Sequence, residues 1–161
     1  MAPTSLLIVW HSRTGTSEQI ARAASEGAGD GGVLKRASDV SPEDLLAAGC
    51  YLFCCPENLA SMSGEMKEMF DRCYYPLLGR IEGRPYATVI AAGSDGEGAQ
   101  RQIDRIATGW RLKRVTDPWI EMTDAQEPEA ILAPKTVAPQ TLANATELGA
   151  ALAEGIAQGI F

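Results

Sequence analysis

Short, unbroken apolar runs alternate along this chain with longer stretches of helical period, and that alternation constrains the fold more than any other feature. A strand that is apolar at every position has both faces buried, so helices must cover both sides of its sheet. Leu6-Leu7-Ile8-Val9-Trp10 reads as the first such strand, followed by helix from about Thr16 to Ala28. Gly29 to Gly32 is a turn cluster, and Val33-Leu34-Lys35-Arg36 is a weaker second strand, suited to an edge. Ser41-Pro42-Glu43-Asp44 opens a short helix, with serine as cap, proline at the first position and an acid placed to close a capping box.

Cys50 to Cys55 forms the third strand, expected to stop at Pro56. Met62, Met66, Met69, Cys73 and Leu77 then line one helical face, which reads as core packing. Tyr86 to Ala92 is the fourth strand, and Ala99, Ile103, Ile106 and Trp110 mark the next helix. Val115 to Met122 reads as a fifth strand interrupted by Pro118. Leu142, Ala145, Gly149, Leu152, Ile156 and Ile160 give a final amphipathic helix. Between these last two, Thr123 to Pro139 is expected to be an irregular surface excursion, serving either a homodimer interface or a substrate entrance.

The 161 residues are read as one domain, 1–161. Five strands alternating with helices predict a doubly wound α/β fold: a five-stranded parallel sheet of order 2-1-3-4-5 with helices on both faces. Ligands of such sheets bind beyond the carboxyl ends of the strands, at the switch point between strands 1 and 3.

Charge narrows the partners. With 14 Lys and Arg against 21 Asp and Glu the net charge is −7, a sign that repels nucleic-acid phosphates and anionic lipid. No apolar stretch reaches the roughly 20 residues of a membrane-spanning helix. The opening Met1-Ala2-Pro3-Thr4-Ser5 lacks the basic region of an export signal, so a cytoplasmic location is expected. Cys50, Cys54, Cys55 and Cys73 then read as reduced, buried thiols. With one histidine, His11, and no Cys-x-x-Cys pair, no metal site is expected.

The loop after strand 1, Ser12-Arg13-Thr14-Gly15-Thr16-Ser17, sets four hydroxyls around one glycine where a helix begins. Hydroxyl donors and the free N–H groups of a first helical turn make a phosphate nest that needs no lysine. Neither Gly-Lys-Ser/Thr nor Gly-x-Gly-x-x-Gly occurs there, which favours a single phosphomonoester over a nucleoside triphosphate or dinucleotide. No Cys-x5-Arg pattern occurs either, so a low-molecular-weight phosphatase is disfavoured.

Ser12-x-Thr14-Gly15-x-Ser17 resembles the Thr/Ser-x-Thr-Gly-x-Thr phosphate loop of flavodoxins. Pro56-Glu57-Asn58-Leu59-Ala60-Ser61-Met62-Ser63-Gly64-Glu65-Met66-Lys67, with Phe70-Asp71-Arg72, is similar to the second flavin loop and helix of flavodoxin-like, FMN-binding NAD(P)H-dependent oxidoreductases, the tryptophan-repressor-binding-protein type of quinone reductase among them. The resemblance implies that Ser12, Arg13, Thr14, Gly15, Thr16 and Ser17 hold the FMN phosphate and that Pro56, Glu57, Asn58, Leu59, Ala60, Ser61 and Met62 run along the isoalloxazine ring. It also implies that Gly93, Ser94, Asp95 and Gly96 form a third loop, with backbone N–H groups of Ser94, Asp95 and Gly96 at the pyrimidine edge; the plain alternative is a tight turn. Glu57, Asp95 and Glu97 would be either flavin-tuning carboxylates or solvated loop acids. Arg13 would either neutralise the phosphate or point to solvent, and His11 would either serve the site or be structural.

Electron-carrier flavodoxins usually enclose the ring between a tryptophan in the second loop and a tyrosine in the third. This chain has neither, which leaves a ring face open to a nicotinamide or quinone. The resemblance therefore implies an enzyme passing electrons from NAD(P)H through FMN to a quinone or similar acceptor, with no side chain assigned as acid or base. Two alternatives stand beside it: an electron carrier docking a redox protein, and a flavodoxin-fold interaction module without FMN.

Overall fold

The computed structural model describes residues 2–161. Its sheet runs β2 (Gly32–Arg36), β1 (Leu6–Trp10), β3 (Cys50–Asn58), β5 (Pro85–Ala92), β6 (Lys113–Arg114), with β4 (Ser61–Met62) attached to β3 and β7 (Trp119–Met122) attached to β5. Every pairing is parallel except β3 with β4. Counting β6 and β7 as one interrupted edge strand, this is the expected five-stranded order.

The interruption falls where Pro118 has no N–H to give the ladder. Lys113–Arg114 pairs with Pro85–Tyr86, and Trp119–Met122 pairs with Val89–Ala92. Pro56, by contrast, does not stop β3 as expected. It continues in register opposite Ala91, because β1 ends at Trp10 opposite Cys54 and leaves β3 without a partner on that side. The two extra residues, Glu57 and Asn58, turn back into β4.

Along β1 and β3 the side chains divide by parity, as a pleat requires. Leu7, Val9, Tyr51, Phe53 and Cys55 enter one core with α3 (Gly64–Leu77) and α4 (Glu97–Gly109), which also takes in the methionine stripe and Trp110. Leu6, Ile8, Trp10, Cys50, Leu52 and Cys54 enter the other, with α1 (Thr16–Ala28) and α6 (Pro139–Ala157). All four cysteines are buried and free. Burial pushes the Cys50 and Cys55 thiols up to about 12, so they are inert as nucleophiles.

The short helix α2 (Pro42–Ala47) carries the expected Ser41–Asp44 capping box. Gly49, just past the cap, does not take the left-handed conformation that closes many helices, and the Leu45 and Leu46 carbonyls accept from Arg84 Nη1. The Thr123–Pro139 segment is not wholly irregular, since it contains a further short helix, α5 (Pro128–Leu132). Ile160 lies beyond the end of α6 and is exposed.

The tightest packing holds α1 against α6. A Cβ on Gly27 would lie 1.9 Å from the Thr146 carbonyl oxygen, and one on Gly149 would lie 1.9 Å from that of Ala24. The two backbones touch at these glycines.

Candidate functional site

A cleft of about 290 Å³ opens beyond the carboxyl ends of β1, β3 and β5. Its lining brings together Ser12, Arg13, Thr14, Thr16 and Ser17 from the first loop, Pro56, Glu57, Asn58, Leu59 and Ala60 from the second, and Gly93 and Ser94 from the third.

At the first loop, Gly15 is the N-cap of α1, with φ 113° and no side-chain cap bond. The hydroxyls are therefore not used to cap the helix. Ser12 Oγ accepts the Gly15 N–H at 3.0 Å and closes the turn. The first intrahelical bond runs from Gln19 N–H to the Gly15 carbonyl, so the N–H groups of Thr16, Ser17 and Glu18 have no partner within the helix. Ser17 is 2% exposed and its buried hydroxyl has no hydrogen-bond partner among the described residues. Such a group costs about 1–3 kcal/mol when left unmet, which makes it a donor waiting for an acceptor. Gly15 itself shapes the loop from outside the cleft lining.

The second loop is a tight hairpin. Asn58 pairs with Ser61, and the two residues between, Leu59 and Ala60, have φ 53° and 63°. Positive φ at two successive residues is the I′ turn usually given to Asn-Gly, and here it carries about 1–2 kcal/mol of strain per residue. The strain is held by α4: Gln102 Oε1 accepts from the Met62 N–H at 2.8 Å and the Ser61 hydroxyl at 3.0 Å. A Cβ on Gly98 would lie 2.2 Å from the Ala60 carbonyl oxygen, so the hairpin rests on the first turn of that helix. Leu59 stands fully exposed at the tip. Ser61 and Met62 therefore do not line the cleft as expected. Ser61 bonds α4, and Met62 is buried in the core beneath it.

Glu57 lines the cleft, but its carboxylate is not a solvated loop acid. Oε1 accepts the Gly96 N–H at 2.8 Å and Oε2 the Ala99 N–H at 3.1 Å, so its carboxylate caps α4 from outside that helix and complements its dipole. The same bond removes the Gly96 N–H from the set of donors expected at the cleft. Asp95 is exposed and accepts from the Glu97 N–H, and neither Asp95 nor Gly96 lines the cleft. Gly93 and Ser94 do, and a Cβ on Gly93 would lie 2.4 Å from the Ala125 carbonyl oxygen, so the two backbones touch there.

The remaining wall comes mostly from the Thr123–Pro139 excursion, none of whose residues the sequence singles out. Ala91, Ala92, Thr123, Ala125, Ile131 and Lys135 also line the cleft, four of them from the Thr123–Pro139 segment. Thr123 N–H donates to Ala92 O at 2.8 Å, and Lys135 N–H donates to Thr14 O at 2.8 Å, tying this segment to the third and first loops. Only the length of the excursion hinted at such a role.

His11 is a structural neighbour rather than part of the lining. Its Nδ1 lies 2.8 Å from Ser63 Oγ and its N–H donates to Cys54 O. Burial lowers its pKa, opposed by Glu65 and aided by Arg36. The unfolded chain therefore binds the His11 proton more readily than the folded one, and stability falls as pH drops below the ordinary value of 6.5 toward the depressed native pKa. Urea unfolding of wild type and His11→Asn should show that loss in wild type and a flatter profile in the variant; parallel profiles would contradict it.

Among the described residues no cluster of three or more His, Cys, Asp and Glu side chains could hold a metal, and no helix is long and apolar enough to cross a membrane.

The family model of NADPH-dependent FMN reductases matches residues 35–126, more than half the chain, and leaves out the first loop and the last helix. A flavodoxin of Aquifex aeolicus (strain VF5) is 29% identical over 121 residues, covering 70% of this chain. This chain spans 65% of that flavodoxin's length. The flavodoxin, WrbA-like protein from Agrobacterium tumefaciens superposes with a TM-score of 0.76 at 17% identity, over 96% of this chain and 98% of that one. An NADPH-quinone reductase from P. pentosaceus gives 0.65 at 16% identity, over 90% and 97%. At these identities the structural likeness is one of fold, and the fold is flavodoxin-like.

Proposed function

The chain belongs to the NADPH-dependent FMN reductase family, and from that premise we propose that it binds FMN in the cleft and passes electrons from NAD(P)H to a small acceptor such as a quinone. The observation that carries the reading is the buried, unpartnered Ser17 hydroxyl beneath the open first turn of α1. Together with the Thr14 and Thr16 hydroxyls and the turn's N–H groups, it fits a terminal phosphate with several acceptor oxygens.

On this reading, Ser12, Thr14, Thr16 and Ser17 hold the phosphate and Gly15 shapes their loop, while Pro56 to Ala60 and Gly93 to Ser94 flank the ring. Bound there, the flavin supplies hydride chemistry between a nicotinamide and an acceptor, and the protein supplies position and exclusion of water. The cleft lining contains no Phe, Tyr or Trp, so no aromatic side chain competes for the open ring face. Leu59 and Ile131, both exposed, give the rim apolar character suited to a quinone-like acceptor.

A carrier reading has one observation in its favour, the net charge of −7, which suits docking to a basic redox protein. Titration with FMN, then anaerobic addition of NADPH or NADH, separates the two. Binding followed by bleaching of the oxidised-flavin band near about 450 nm, a property of the cofactor, is the expected result. Binding without bleaching by either nucleotide would establish the carrier, and no binding would refute both.

A further inference from the structure

The wall that the sequence left unassigned contains a cation at the first loop. Lys135 is half-buried and lines the cleft. Its ammonium donates to Ala133 O at 2.6 Å, to Ile131 O at 3.1 Å and to Thr14 Oγ1 at 3.4 Å. No carboxylate forms an ion pair with it among the described residues, in a chain whose net charge is −7. Its surroundings are thus three neutral oxygens and the cleft itself, an arrangement that leaves the charge available to an anion.

The backbone around Lys135 is held independently of its side chain. Its N–H donates to Thr14 O, and its carbonyl accepts from Gln19 Nε2 at 2.9 Å. Gln19 Nε2 also donates to Gly15 O at 3.0 Å, while its Oε1 accepts the Val137 N–H at 3.1 Å. One glutamine of α1 therefore clamps residues 135 and 137 to the same loop that presents the hydroxyls. Arg13, the other cation of the lining, is exposed and makes no hydrogen bond among the described residues.

We infer that Lys135 is the cationic member of the phosphate site, and that the segment following α5 is a strap whose task is to deliver it. The ammonium acts on the phosphate in two ways. It contributes charge directly, and it donates to Thr14 Oγ1, which leaves the Thr14 hydrogen directed to a phosphate oxygen and polarised toward it. On this inference the nest does not work without a lysine. The four hydroxyls supply geometry, and a lysine 121 residues downstream of Thr14 supplies the compensating charge.

This inference rests on the FMN reading, and the test separates the two. Dissociation constants for FMN and for riboflavin, which lacks the phosphate, are measured by flavin fluorescence on wild type, Lys135→Gln and Lys135→Arg. Because Gln19 and Thr14 hold the main chain of residue 135, the glutamine variant should keep the strap. FMN affinity should fall about tenfold or more in Lys135→Gln, the size of one close interaction between opposite charges near a protein surface. Riboflavin affinity should not change, and Lys135→Arg should retain most of the FMN affinity. Unchanged FMN affinity in Lys135→Gln, or an equal loss for both ligands, overturns the assignment while leaving the FMN reading intact. Failure of wild type to bind FMN overturns both.

Discussion

Replacing Gly15 with valine is expected to abolish retention of FMN while leaving a folded protein. Gly15 holds φ 113° and ψ −18°, a conformation closed to a β-branched side chain, and its Cβ would lie 3.1 Å from Gln19 Nε2. The backbone at this position must therefore move. Its N–H is bonded to Ser12 Oγ, and its carbonyl receives both Gln19 N–H and Gln19 Nε2, so movement disperses Thr14, Thr16 and the strap together. Loss of two or three charge-assisted bonds to a phosphate amounts to a fall in affinity of about a hundredfold or more. Flavin content after gel filtration gives the result directly, with circular dichroism to verify the fold. Flavin content equal to wild type would remove the phosphate-loop assignment.

The largest effect on stability is expected at Gly149. A Cβ there would meet the Ala24 carbonyl oxygen at 1.9 Å and its carbon at 2.5 Å, both backbone atoms within a helix and unable to step aside. Gly149→Val must push α6 from α1 along their whole crossing, opening the core that Ile20, Ala24, Ala145 and Leu152 fill. Overpacking of this kind costs about 3 kcal/mol or more, a drop in Tm of about 6–12 °C for a domain of this size. Thermal and urea unfolding should show a lower midpoint at unchanged m; a midpoint within error of wild type would mean that the helices do not touch there. Gly27→Ala, facing the Thr146 carbonyl, should act in the same direction.

The sheet could be read from the chain because buried strands leave continuous apolar runs, and Leu6–Trp10 and Cys50–Cys55 have almost no other use. The strand order followed from handedness and the βα alternation. Pro56 misled because a proline ends a strand only where a neighbour needs its N–H, and which neighbours persist that far is a tertiary fact. The first loop was legible because four hydroxyls and a glycine exceed what one helix cap requires. In the second loop, Leu59-Ala60 gave no sign of a I′ turn, since its usual residues are absent and α4 imposes the conformation. Glu57 carries no local mark of its partners, which lie 39 and 42 residues away. Lys135 was hidden for the same reason.

The Gly27–Gly149 crossing also has a consequence for biosynthesis. The helix that carries the first loop is translated well before its packing partner, α6, and before the strap that closes the loop. At about 5–20 residues per second, the ribosome takes several seconds or more to bridge that gap. During this interval Ile20, Ala21 and Ala24 have the sheet beneath them but lack the part of their core that α6 supplies. A nascent chain therefore cannot complete the cleft when its first loop emerges, and must wait for a wall made 121 residues later.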